Sequence, residues 1–281
     1  MPGLKNQIKD FVYPVYFKYL HSKVSVKNIL DKFPLYKPNG FGNYLLSSRL
    51  TIQTINQVFP FLSSLSKSVN KDAIQIESVL NFPKSADDFQ AVSDLQTLFD
   101  KHGSDKSNCH NYENIYGPIL KNKNEITAVL EVGLGTNNTD VVSNMGAAGR
   151  PGASLRAFRE FLPNAKIFGA DIDKRILFSE DRIETFYIDQ TNPDSFLNLP
   201  DSLPDLFDLI IDDGLHSPDA NVQTLKFGLS KIKIGGWVVI EDIIVEAIPV
   251  WDVVSAMLPN QYRSFLFEVK GGYVFAVNKL S

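Results

Sequence analysis

Carboxylates recur at five places where a short apolar run ends. They are Glu131 in Val-Leu-Glu-Val, Asp171 in Phe-Gly-Ala-Asp, Asp189 in Tyr-Ile-Asp, Asp212-Asp213 in Leu-Ile-Ile-Asp-Asp, and Glu241-Asp242 in Val-Val-Ile-Glu-Asp. An aspartate after one strand is ordinarily a turn residue or a helix cap. Acids after five successive strands of one parallel sheet would face one crevice, where they repel unless hydrogen bonds, a cation or a cationic ligand compensates. The series divides by position. Glu131, Asp171 and Asp189 stand where a carboxylate can accept from ribose hydroxyls or from the exocyclic amine of an adenosine. Asp213, Glu241 and Asp242, completed by water, make a hard oxygen site suited to Mg²⁺ or Mn²⁺. His216 follows Asp213 by three residues. A single histidine beside an oxygen site suits a general base better than a zinc ligand; its bland alternative is a polar residue at a helix N-terminus.

These residues need a parallel sheet to bring them together. The stretch Thr127-Ala-Val-Leu-Glu-Val-Gly-Leu-Gly-Thr136 reads as a buried strand running into a glycine turn. Gly133 and Gly135 allow a tight turn and a close backbone approach. The pattern ends at Asn138, where a dinucleotide fingerprint has its third glycine, so a nicotinamide site is disfavoured. Further strands are expected at 166–170, 183–188, 207–212, 236–241, 264–269 and 273–277, and helices at 154–162, 218–233 and 246–257. This alternation predicts an α/β fold with a mostly parallel seven-stranded sheet. Lys270-Gly-Gly-Tyr273 is a hairpin signal that makes the last strand antiparallel. Asp171 follows Gly133 by 38 residues rather than about 20, and the excess is a glycine- and asparagine-rich stretch at 136–152 that reads as a binding loop. Ser154, at the start of the next helix, could donate to an anionic group.

The 281 residues suffice for one large domain and an appendage. Residues 1–90 read as an auxiliary helical segment, serving as lid or oligomer contact, and residues 91–281 as the main domain. Leu45–Leu65 carries apolar residues at helical spacing, while His21 stands alone among lysines and reads as exposed. Phe89–Phe99 is a helix candidate that ends at Lys101-His-Gly103. The polar cluster after it, Ser104-Asp-Lys106 and His110–Tyr116, is either a helix cap or a cover for the ligand edge. A net charge of −4 argues against nucleic-acid binding. The single Cys109 excludes an intrachain disulfide framework and fits a reducing, cytoplasmic setting. No signal peptide is evident, and the aromatic stretch Phe11–Leu20 is too short to span a bilayer.

With these motifs in hand, residues 95–245 resemble the class I S-adenosylmethionine-dependent methyltransferases with their Rossmann-like fold. Within them the chain resembles the metal-dependent sugar O-methyltransferases of macrolide biosynthesis, the mycinamicin and macrocin type. The matching segments are Lys101–Lys106, Glu131–Gly135, Gly152–Phe158, Gly169–Asp173, Ile211–His216 and Gly235–Asp242. The joint spacing of Asp-x-x-His and the later Glu-Asp is the specific part. The resemblance implies Asp213, Glu241 and Asp242 as Mg²⁺ ligands and His216 as base. It implies Ser104, Glu131, Gly133, Gly135, Ser154, Asp171, Asp189 and Gln190 as contacts for S-adenosylmethionine, and a sugar or glycoside as acceptor. Related enzymes often oligomerise through added N-terminal helices, which leaves a homo-oligomer open. The 136–152 loop and residues 1–90 depart from the family pattern, so the acceptor's identity does not carry over. A catechol-type O-methyltransferase, an iron-dependent hydroxylase on the same fold and a non-catalytic cofactor-binding scaffold are the alternatives.

Overall fold

The computed structural model describes residues 57–65, 67 and 74–281. The chain divides into two compact units, Met1–Leu62 and Ser63–Ser281, and the sheet and site below belong to the second. The helices expected in Leu45–Leu65 lie partly outside the described residues, and Phe11–Leu20 and His21 wholly so. Residues 57–65 are helical.

In chain order the elements are β1 (Ile76–Ser78), α1 (Ala86–His102), α2 (Glu113–Leu120), β2 (Ala128–Val132), α3 (Ala153–Phe161), β3 (Lys166–Asp171), β4 (Ser179–Glu180), β5 (Ile183–Tyr187), β6 (Phe207–Asp212), α4 (Pro218–Lys231), β7 (Ile232–Ile243), α5 (Ile248–Met257), β8 (Tyr262–Val269) and β9 (Gly272–Lys279). The strands form one sheet in the order β1-β8-β9-β7-β6-β2-β3-β5-β4. Strands β5, β3, β2, β6 and β7 run parallel. The hairpin makes β9 antiparallel to both β7 and β8, as expected, although it lies inside the sheet rather than at its edge. The seven expected strands all form, and two more bring the sheet to nine. Three-residue β1 adds parallel to β8, and two-residue β4 adds antiparallel to β5. Both are too short to show a periodic signal.

Strand alternation sorts the core into two layers. Val129, Leu209, Ile211, Val239 and Phe267 face α1, α2 and α3, where Leu95, Phe99, Ile115, Tyr116, Leu155 and Phe158 are buried. Leu130, Val132, Ile210, Val238 and Ile240 face the other way, toward Leu225 of α4 and Trp251 of α5. Burial on both faces explains why the strands read as near-continuous apolar runs.

Local chemistry fixes the ends of α1. Ser85 Oγ accepts from the Asp88 amide at 3.1 Å while Asp88 Oδ2 accepts from the Ser85 amide at 3.0 Å, a reciprocal capping box. At the other end Gly103 takes φ +76°. The Gly103 amide donates to Asp100 O and the Ser104 amide to Phe99 O, which turns the chain sharply toward the ligand edge of the sheet.

Candidate active site

From β2 the chain crosses over to β3 and on to β5 on one side, then returns past β2 to β6 on the other. The carboxyl edge between them is the switch point where open α/β sheets bind ligands. A cavity of about 900 Å³ opens there, lined by Gly133, Gly135, Asp171, Asp189, Gln190, Asp213, His216 and Asp242, among others.

The five strand-end acid positions do not converge on one crevice. Period-two alternation sends Glu131, Asp213 and Glu241 to the face where Val129, Ile211 and Val239 lie, and sends Asp212 to the other. Asp212 is fully buried against α4; its Oδ1 accepts from Gln190 Nε2 at 2.9 Å. Gln190 also donates to Thr224 Oγ1 at 2.9 Å and accepts from the Leu215 amide at 3.0 Å. Its amide is therefore spent on holding the β6–α4 turn, although it lines the cavity.

On the other face one cation serves three acids. The Lys106 ammonium lies 2.7 Å from Asp213 Oδ2 and 3.0 Å from Glu131 Oε1, and also bonds Glu241 Oε2. Glu131 and Glu241 are fully buried and Lys106 nearly so. Ser154 Oγ donates to Glu131 Oε2 at 2.6 Å, and Tyr116 Oη donates to Glu241 Oε1. The anion met by the start of α3 is thus Glu131. Burial alone would lower the Lys106 ammonium, but Asp213, Glu131 and Glu241 together hold it well above its ordinary value. Burial raises Glu131 and Glu241 above the usual carboxylate range; Lys106 opposes this, and the remaining acids add to it. Burial, then Glu241, pushes the Tyr116 phenol well up.

In front of this layer stand three more accessible groups. Side chains of Asp213, His216 and Asp242 are 26%, 29% and 30% exposed. One ligand atom from each lies within 4.8 Å of the others. His216 Nε2 is 3.6 Å from Asp242 Oδ2. His216 Nδ1 is buried with no hydrogen-bond partner. Tyr112 Oη fixes Asp242 through Oδ1 at 2.7 Å. His216 and Asp242 both take left-handed backbone, φ +57° and +54°, which non-glycine residues seldom adopt. Such strain persists where surrounding structure holds a functional geometry. Glu241 is outside this convergent set, because both its oxygens are bonded to Lys106 and Tyr116.

The remaining expected contacts divide between cavity wall and support. Gly133 has φ +99°, and a Cβ there would overlap the Asp213 carbonyl oxygen; this glycine packs two strand ends together as well as lining the cavity. A Cβ on Gly135 would strike the Met145 sulfur on the 136–152 loop. Asp171 accepts from the Leu134 amide and the Asp173 amide, both at 2.7 Å, so it braces the glycine turn; burial raises its carboxyl. Asp189 Oδ1 accepts from the Thr191 amide at 2.9 Å and lines the cavity. Ser104 is buried, with Oγ accepting from the Lys106 amide at 3.4 Å. Asn138, in place of a third glycine, donates through Nδ2 to Asp173 Oδ2 at 2.8 Å. Residues 140–145 of the long loop line the cavity, and Arg175 pairs with Asp140 there at 2.9 Å.

Sequence reasoning did not assign Lys106 or Tyr116 a role. The available signal was the acid surplus itself: buried carboxylates on three adjacent strands demand a cation, and Lys106 is the lysine in the polar cluster preceding β2.

No family model matches the sequence. The chain is 30% identical over 163 residues to the 8-demethyl-8-alpha-L-rhamnosyl tetracenomycin-C 2'-O-methyltransferase of Streptomyces olivaceus, a match covering 57% of this chain and 40% of that protein. It is 35% identical over 121 residues to the mycinamicin VI 2''-O-methyltransferase of Micromonospora griseorubida, covering 43% and 28% respectively. The chain thus spans less than half the length of these curated relatives. Among solved structures, the MycE methyltransferase from the mycinamycin biosynthetic pathway, in complex with Mg and SAH, superposes with a TM-score of 0.50 at 22% identity, covering 66% of this chain and 55% of that one. The described body of this chain therefore has the Rossmann-like fold of the class I S-adenosylmethionine-dependent methyltransferases, and its sequence resembles the O-methyltransferases that act on macrolide and tetracenomycin sugars.

Proposed function

We propose that this chain is an S-adenosylmethionine- and Mg²⁺-dependent O-methyltransferase that methylates a sugar hydroxyl, with His216 as general base. The observation that carries the reading is the convergence of Asp213, His216 and Asp242 in the lining of the cavity. The two carboxylates, completed by water or a substrate oxygen, suit a hard divalent cation, and the imidazole beside them is left to take a proton. The set has one histidine and two carboxylates, the reverse of the non-haem iron oxygenase triad, which weighs against the hydroxylase alternative.

Asp213 and Asp242 would hold the metal, with Glu241 as a third carboxylate that must first exchange its bonds to Lys106 and Tyr116. The cation would supply Lewis acidity that makes the acceptor hydroxyl easier to deprotonate. His216 would hold the proton given up by the acceptor hydroxyl, and the bound cofactor would supply the methyl group, its carbon–sulfur bond breaking to leave a neutral thioether. Tyr112 and Asp242 orient the site around His216. Seven aspartates and a single arginine among the charged residues lining the cavity favour a cationic cofactor over an anionic one. Gly133 and Gly135 form the wall at the end of β2, and Asp189 offers a carboxylate for ribose hydroxyls. Residues 140–145 border the place left for the acceptor. A cytoplasmic location belongs to the same reading, supported by the one exposed cysteine. No described helix is long and apolar enough to cross a membrane.

The test is titration calorimetry of the full chain with S-adenosylmethionine and S-adenosylhomocysteine, with and without Mg²⁺, followed by methyl transfer to sugar glycosides. Binding of both compounds and metal-dependent transfer are expected. Failure of both compounds to bind in every condition would refute the assignment.

A further inference from the structure

The acids at the carboxyl ends of β2, β6 and β7 outnumber the cation that serves them. Glu131, Asp213, Glu241 and Asp242 bring four carboxylates together, and the Lys106 ammonium reaches three of them. Asp213 belongs to both groupings. Its Oδ2 accepts from Lys106 at 2.7 Å, and it also supplies a ligand atom to the convergent set with His216 and Asp242. A divalent cation at that set would meet a carboxylate already engaged by an ammonium, and two positive centres would share one acid.

We infer that Lys106 is a built-in counter-cation that competes with the divalent metal for Asp213 and Glu241, so that metal binding must draw these carboxylates away from it. This rests on the proposed metal site. Lys106 acts there as a positioning residue. Its backbone ties make it part of the scaffold: its carbonyl accepts from the Tyr112 amide at 2.8 Å, and its amide donates to Ser104 Oγ at 3.4 Å. The same turn delivers Tyr112 to Asp242 and leads into α2, which delivers Tyr116 to Glu241. The carboxylates are thereby kept converged and partly compensated without metal. The cost is weaker metal binding, because each bond to the ammonium has to be given up or shared. With Lys106 gone, the same carboxylates present their full negative field to the metal.

The test is Mn²⁺ binding to the full chain, read by electron paramagnetic resonance without turnover. Lys106→Met is expected to bind Mn²⁺ about tenfold tighter or more, while Lys106→Arg, which keeps the charge, stays within about twofold of the parent. A merely structural role predicts the opposite, since losing a brace weakens a site. A folded Lys106→Met protein with equal or weaker Mn²⁺ affinity overturns the inference while leaving the metal site standing. Absence of Mn²⁺ binding in the parent and in both variants overturns the metal site itself, and the inference with it. Should Lys106→Met fail to fold, the parent protein with ¹⁵N-labelled lysine serves. Mg²⁺ is expected to shift the Lys106 ammonium resonance, and an unmoved resonance at saturating Mg²⁺ overturns the competition.

Discussion

The two edges of the sheet handle carboxylates in opposite ways. At the amino edge Asp208 has more donors than it needs. Its Oδ2 accepts from the Thr127 and Ala128 amides at 2.8 and 2.9 Å, and Lys233 Nζ lies 2.9 Å from the same oxygen. Burial works to raise its carboxyl, yet Lys233 and the two amides prevail and hold it below the ordinary range. At the carboxyl edge the ratio is inverted, with one ammonium for Glu131, Asp213 and Glu241, and burial leaves the two glutamates raised. The amino edge is complete as folded and can only lose by change. The carboxyl edge is held together but electrostatically unfinished, which is the condition expected of a surface that awaits cationic partners.

This contrast breaks most visibly if the carboxyl edge proves inert. His216→Ala is expected to lower turnover by about 10²- to 10⁴-fold, the range for loss of a general base, while S-adenosylhomocysteine affinity by calorimetry stays within about twofold. Unchanged turnover would remove the base assignment.

The complementary change at the amino edge should touch stability alone. Asp208→Ala strips the acceptor from two backbone amides and leaves Lys233 without its partner, at an expected cost of about 1–3 kcal/mol in urea unfolding. Cofactor and metal affinity should be unchanged. A variant that binds less cofactor would show that the two edges are coupled and that the contrast is too simple.

The parts of the molecule written in local patterns were legible in the sequence. The seven strands expected between 127 and 277 all form, because strands buried on both faces leave long apolar runs. The stop of α1 at Gly103 and the hairpin at Gly271-Gly272 were legible because glycine chemistry marks them. The two short edge strands left no pattern. At the site, the types and edge of the acids were readable, but not which way each points. Asp212 and Asp213 are adjacent in sequence and serve opposite layers, since one residue of strand register inverts the face. For the same reason Glu241 and Asp242 part company, one bonded to Lys106 and the other to Tyr112. The partner of the buried acids, Lys106, comes from a turn preceding β2, and no spacing rule links it to residues 107 and 135 positions away.

The smallest expected effect is the sharpest on sign. Asp208 is depressed in the folded state, so its contribution is present above the unfolded value near 3.9 and is lost as pH falls through its folded value. Glu131, Glu241 and Asp212 are raised by burial, so the unfolded chain ionises first and stability declines as pH rises from about 4 through their folded values. Metal-free protein should therefore be most stable in mild acid and lose stability toward neutrality, as read by urea unfolding across a pH series. Glu241→Gln removes one raised carboxyl and should flatten the neutral-side decline without moving the acid limb, whereas Asp208→Asn should do the reverse. If Glu241→Gln left the neutral side as steep as before, the surplus of acids at the carboxyl edge would not be what sets it, and the imbalance that distinguishes the two edges would carry no measurable free energy.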